Sequence, residues 1–163
     1  MSMYDYFLWT KRSKWVKGHK FSGCIFCRII KGDKSVPSRV IYKDKDVLIL
    51  MNLFPYNTGH IQLIPVRHVK SLEDMTPEEI TKVFLMVKKV VKMLRKALNP
   101  KGFNIGANIG DFAGASIEHF HFHIVPRFNH DLGFMETTCR TKVMPQSIDQ
   151  TYKKIMKHVD MLK

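Results

Sequence analysis

The sequence predicts an α+β domain, an antiparallel β-sheet packed with helices, and three observations predict it. Two short apolar runs, Val47–Met51 and residues 61–66, flank a turn-rich segment at 52–59 (NLFPYNTG), the pattern of two strands joined by a loop. One long stretch with helical apolar spacing follows, and after it come two more apolar runs at 103–109 and 117–126. Strands linked by short loops pair antiparallel, and the order strands, helix, strands, helix leaves the helices to cover the sheet.

Taken in order, residues 1–20 read as a basic extension in which Lys11, Arg12, Lys14, Lys17 and Lys20 interleave with Trp9 and Trp15. Such an arm is either a solvated tail pinned by its tryptophans or a small nucleic-acid patch. The domain proper is expected over 21–163. In its second strand Pro65 cannot donate to a ladder, which predicts an edge or a bulge at that end. The helix has its start written out: Thr76 as cap, Pro77 at the first helical position, and Glu79 completing a capping box. Ile80, Val83, Phe84, Val87, Val90, Val91, Leu94 and Leu98 then share one face. Residues 99–102 (NPKG) stop it. The strands at 103–109 and 117–126 are joined by Gly110-Asp111-Phe112-Ala113-Gly114. A last amphipathic helix begins near Ser147, with Gln150 as reciprocal cap, and carries Ile155, Met156, Val159 and Leu162 on its apolar face.

Composition narrows the function classes. The 163 residues include 27 Lys+Arg against 14 Asp+Glu, a formal charge of +13, and are 45% hydrophobic. A core of that size excludes wholesale disorder. No apolar run approaches the ~18–20 residues of a membrane span, and no secretory apolar stretch opens the chain. A cytoplasmic protein with an anionic partner is expected. Three cysteines are too few for a disulfide framework. Cys24 and Cys27, spaced C-x-x-C, point to metal or redox chemistry, while Cys139 stands alone. A redox pair of thioredoxin type needs a preceding strand and a helix starting within the motif, and the flanking sequence announces neither.

The informative segment is His119-Phe120-His121-Phe122-His123-Ile124-Val125. Strand side chains alternate, so the three histidines take one face and Phe120, Phe122 and Ile124 the other. Neutral imidazoles serve either as metal ligands or as nucleophiles in phosphoryl transfer. His119 and His123 stand roughly 13 Å apart at Cα, too far for all three to hold one ion at ~2.0–2.1 Å; an adjacent pair remains open. The upstream Gly106, Gly110, Gly114 and Ser116 suit a phosphate-wrapping loop, although they match neither the dinucleotide fingerprint nor the P-loop.

These residues resemble the His-φ-His-φ-His-φ-φ signature of the histidine triad superfamily of nucleotide hydrolases and transferases, and the likeness extends over most of 23–162. Cys24-Ile-Phe-Cys27 looks like the opening of many bacterial members. The 52–60 segment is similar to their ribose-binding loop, and 104–127 together with 141–147 looks most like the diadenosine tetraphosphate phosphorylase and hydrolase branch. The resemblance implies an antiparallel sheet with helices, paired into a homodimer, and diadenosine tetraphosphate as the expected substrate. It implies that His121 attacks the α-phosphorus, giving a nucleotidyl-histidine. His123 and Ser116 would bond the phosphate or leaving group, Asn108 would contact the phosphate, and Asn52 would receive the ribose. Leu53 would line the base and His60 support the nucleophile. It also implies a structural zinc on Cys24, Cys27, His68 and His119, the last thereby supporting the catalytic strand, and no organic cofactor. Lys142 and Arg127 are further candidates for phosphate. The rival readings are a purine nucleoside phosphoramidase and a non-catalytic, zinc-stabilised module that binds nucleotides or nucleic acid.

Overall fold

A computed structural model describes residues 22–129, 131, 133, 138 and 144–163. The basic extension expected at 1–20, together with Cys139 and Lys142, lies outside them. Within them the chain runs α1 (Ile25–Ile30), β1 (Val40–Lys43), β2 (Val47–Met51), β3 (Ile61–Pro65), α2 (Pro77–Leu98), β4 (Gly102–Gly106), β5 (Phe122–Arg127) and α3 (Ile148–Met156). The five strands form one antiparallel sheet in the order β1-β2-β3-β5-β4, which is the expected α+β architecture.

The sheet is covered on both sides, and this explains why β2 and β3 are apolar without a break: all ten of their residues are buried. Val47, Ile49, Met51, Ile61, Leu63, Phe122 and Ile124 face α2 and α3 and join Val83, Val87, Val90, Leu94 and Ile155 in the main core. The opposite face packs Leu48, Leu50 and Ile64 against Phe26 of α1. Strand alternation therefore turns His121 and His123 away from the long helix and towards α1.

Both capping boxes form. Thr76 accepts from Glu79 N while Glu79 Oε2 accepts from Thr76 N at 2.9 Å, and Ser147 and Gln150 do the same for α3. Asn99 closes α2 in the left-handed region, at φ 51°. Five expectations are corrected. The last helix stops at Met156, and Val159 and Leu162 lie on a separate short turn, Val159–Leu162, still packed on the core. Phe84 is 51% exposed, its ring meeting the Phe122 ring at 5.3 Å; Met86 and Met93 fill the buried face instead. Pro65 lies on an interior strand. Its missing N–H points to the β5 side beyond Leu63, the last residue of β3 that β5 pairs, so no ladder bond is lost. The strand expected at 117–126 begins only at Phe122, because the main chain at Phe120 bonds Val69 O instead of β3. The strand expected at 103–109 ends at Gly106. Two elements, α1 and the bulged β1, were not expected.

Gly59 positions the site directly. It has φ +80°, and a Cβ there would come within 2.4 Å of Leu98 Cδ1 and 3.2 Å of Pro126 Cγ. Glycine alone lets the 52–59 loop return against α2 and β5 and deliver His60, fully buried, beneath the histidine row.

Candidate active site

A cleft opens between α1, the 52–56 loop and the glycine-rich loop, lined by His121 and His123 together with Phe26, Ile29 and Leu50; the Phe26 ring packs edge-on against the His121 ring at 5.0 Å. Of the residues singled out by sequence, Asn52, Leu53, Asn108, Ser116, His121 and His123 line it. His60 lies behind His123, and His119 is turned elsewhere. Gly110 and Gly114 bracket a single helical turn at Asp111–Ala113, with φ 80° and 84°, and Gly114 lies in the cleft wall.

The hydrogen bonds set the tautomer of each histidine. His121 Nδ1 donates to its neighbour's carbonyl, His119 O, at 2.9 Å, leaving the Nε2 lone pair free. Tyr56 N donates to His60 Nδ1 at 3.1 Å, with Asn52 Nδ2 also at 3.2 Å. That nitrogen is therefore an acceptor, and the proton sits on His60 Nε2. His60 Nε2 then donates to His123 Nδ1 at 2.9 Å, so His123 keeps its own proton on Nε2, where it is available to a ligand. Asn52 is committed at both ends, its Oδ1 accepting from Phe54 N at 2.9 Å.

Burial keeps these rings neutral. It pushes His60 down to about 3, helped by the His123 and His121 charges. Burial first, and then the His121 charge, hold His123 down to about 4. His121 is also lowered by burial, against the opposing bond to His119 O. An unfolded histidine takes up its proton near pH 6.5, whereas folded His60 and His123 do not until well below that. Protons therefore favour the unfolded chain as pH falls from 6.5 towards 4. With a chelator present throughout, the urea midpoint should be level between pH 7 and 8 and fall between pH 6.5 and 4.5; a flat profile across that acid range would contradict the neutral buried pair.

His119 faces a second cluster. Its Nε2 donates to Pro65 O at 2.9 Å, which leaves Nδ1 as a lone-pair donor 3.4 Å from Cys24 Sγ and 3.6 Å from Cys27 Sγ. His68 Nδ1 is 3.2 Å from Cys27 Sγ, and the four ligand atoms lie within 4.8 Å of one another. A tetrahedral site with metal–sulfur and metal–nitrogen bonds of about 2.3 and 2.1 Å has edges of roughly 3.6 Å, so these donors fit zinc. Burial and the adjacent Cys24 thiol raise the Cys27 thiol. Cys24 caps α1 and Cys27 lies in it; a helix thus does start within the C-x-x-C, contrary to expectation, and it presents both sulfurs to two histidines from the sheet side. His119 gives its carbonyl to the His121 ring and its own ring to this cluster; it does not line the cleft.

The charge excess is not in the cleft: no lysine or arginine lines it among the described residues. Arg127, a candidate for phosphate, is bonded instead to Asp131 at 2.6 Å and Asn104 at 2.8 Å. Sequence reasoning missed the wall made by Ile25, Phe26 and Ile29, since a six-residue helix is too short to show a period, and it missed Gln62 and Tyr56. Tyr56 lies against both the His60 ring at 4.7 Å and the His123 ring at 5.7 Å.

The HIT domain family model matches residues 33–130, from just after α1 to the end of the histidine strand. The chain belongs to the HIT domain family. An AP-4-A phosphorylase of Mycobacterium tuberculosis is 38% identical over 113 residues, covering 69% of this chain and 58% of that protein. An asymmetrical bis(5'-nucleosyl)-tetraphosphatase of Schizosaccharomyces pombe is 40% identical over 96 residues, covering 59% of this chain and 53% of that protein. The match thus spans little more than half the length of either relative. Among solved structures, a zinc-bound histidine triad family protein from Mycobacterium smegmatis superposes with a TM-score of 0.71 at 29% identity, over 86% of this chain and 95% of that one. In this HIT domain His68 and His119 fall inside the matched residues, whereas Cys24 and Cys27 precede them.

Proposed function

We propose that the chain is a nucleotidyl transferase or hydrolase that cleaves diadenosine polyphosphates, diadenosine tetraphosphate foremost, through a covalent intermediate on His121. The observation that carries this reading is the tautomer of His121: a neutral ring at the cleft wall whose Nδ1 proton is tied to His119 O, with Nε2 left to attack. In the first step the Nε2 lone pair bonds the α-phosphorus and the bond to the bridging oxygen breaks. The electron pair leaves with the departing nucleotide, a phosphate anion that needs no proton. The new imidazolium is stabilised through Nδ1–H by the carbonyl. His123 Nε2–H, Ser116 and Asn108 hydrogen-bond the phosphate and leaving oxygens, and Asn52 and Leu53 border the nucleoside. In the second step the acceptor oxygen displaces His121. Water gives AMP with loss of one proton to solvent; inorganic phosphate gives ADP.

The relatives named for AP-4-A phosphorolysis and bis(nucleosyl)-tetraphosphate hydrolysis support this substrate class. Incubation with diadenosine tetraphosphate, with and without inorganic phosphate, tests it. ADP plus ATP only when phosphate is present indicates phosphorolysis; AMP plus ATP without it indicates hydrolysis, whereas two ADP would mean cleavage between the central phosphates and would contradict attack at the α-phosphorus. No consumption under either condition would sink the reading.

The Cys24, Cys27, His68 and His119 cluster is read as a structural zinc site. Zinc bound there would be closed by four protein ligands and offer no position to substrate. A homodimer is part of the same reading. β4 pairs only with β5 among the described residues, and Ile105, Phe84 and Leu85 are exposed at 44%, 51% and 57%; sedimentation equilibrium at twice the chain mass would agree, and a monomer would not.

A further inference from the structure

Gln62 is the one buried polar side chain of the cleft that the chemistry above leaves without a task. It sits on β3 with Leu50 of β2 and His123 of β5 as its Cα partners on either side, and it lines the cleft. On this face it stands between His123 and an apolar cluster made of Phe26, Leu48, Leu50 and Ile64. It is 9% exposed, yet among the described residues nothing bonds its amide, whose polar atoms remain in contact with the cleft. An amide that faces a cleft without a protein partner has both its donor and its acceptor available to a ligand there, which leucine, as at position 50, would not.

We infer that Gln62 is a specificity-determining residue whose amide hydrogen-bonds the polar edge of an adenine base lodged against Leu50 and Phe26. A carboxamide offers one acceptor and one donor side by side, the complement of adenine's exocyclic amine next to a ring nitrogen. The register places it correctly. Leu50 flanks Gln62 on one side and His123 on the other, and Phe26 lines the same cleft beside the His121 ring. The inference rests on the nucleotide-cleaving reading above and adds base selection to it.

Calorimetric titration with AMP and with purine riboside 5'-monophosphate, which has the same ring without the amine, tests this on the wild type and Gln62→Leu. Wild type should bind AMP about tenfold more tightly or better, because the analogue leaves Oε1 unpaired. Gln62→Leu should bind the two ligands within about twofold of each other, with AMP reduced to the level of the analogue. Gln62→Met, unbranched and close to glutamine in length, should behave alike if leucine disturbs folding. An AMP-to-analogue ratio unchanged in these variants would overturn the role of Gln62. If the wild type binds neither nucleotide, the nucleotide reading fails and takes this one with it.

Discussion

His121→Ala is expected to lower turnover of diadenosine tetraphosphate by about 10³-fold or more while leaving equilibrium binding of AMP within a few-fold. The asymmetry follows from the site. In the proposed reading, substrate contacts are spread over Asn52, Leu53, Asn108, Ser116 and His123, all of which line the cleft, whereas a single nitrogen would form the bond to phosphorus. Alanine also removes a ring packed on Phe26 at 5.0 Å, so the variant's folding should be checked by its melting curve. Intact enzyme quenched during turnover should carry the mass of a nucleotidyl group, lost in the variant. Turnover within tenfold of wild type would take the nucleophile's role away from His121.

Metal removal is expected to have the second large effect. Chelation, or Cys27→Ser, should lower the melting temperature by on the order of 10 °C, and the untreated protein should contain one zinc per chain by elemental analysis. The donors come from two distant parts of the sequence. Cys24 and Cys27 belong to the opening of α1, while His68 follows β3 and His119 precedes β5. The cluster therefore ties α1, which forms one wall of the cleft, to the sheet. It also reaches the chemistry through a single residue: the ring of His119 belongs to the cluster and its carbonyl orients His121. Turnover should accordingly fall with metal loss even below the melting transition. A protein free of metal with an unchanged melting temperature would refute the assignment.

Much of this was legible along the chain because it is local. The capping boxes at Thr76 and Ser147 depend on residues three apart. The alternation of His119–Ile124 predicts which side chains enter the core, and Phe120, Phe122 and Ile124 do. The α1 helix was illegible for the same reason in reverse: six residues hold too little of a helical period, and its burial of Phe26 answers to a sheet far along the sequence.

By itself the sequence determined the kind of domain, the capped starts of the two longer helices, the row of imidazoles and the spacing of two cysteines, since each rests on spacing between neighbours. Only the tertiary structure decided what each imidazole does. His119 is committed to the cysteines, His121 is set by a carbonyl, and His123 receives its proton bond from His60, 63 residues away. The physical reason is that a histidine's tautomer and charge depend on what lies within about 3 Å of each nitrogen and on how much water reaches it, and chain folding alone supplies both.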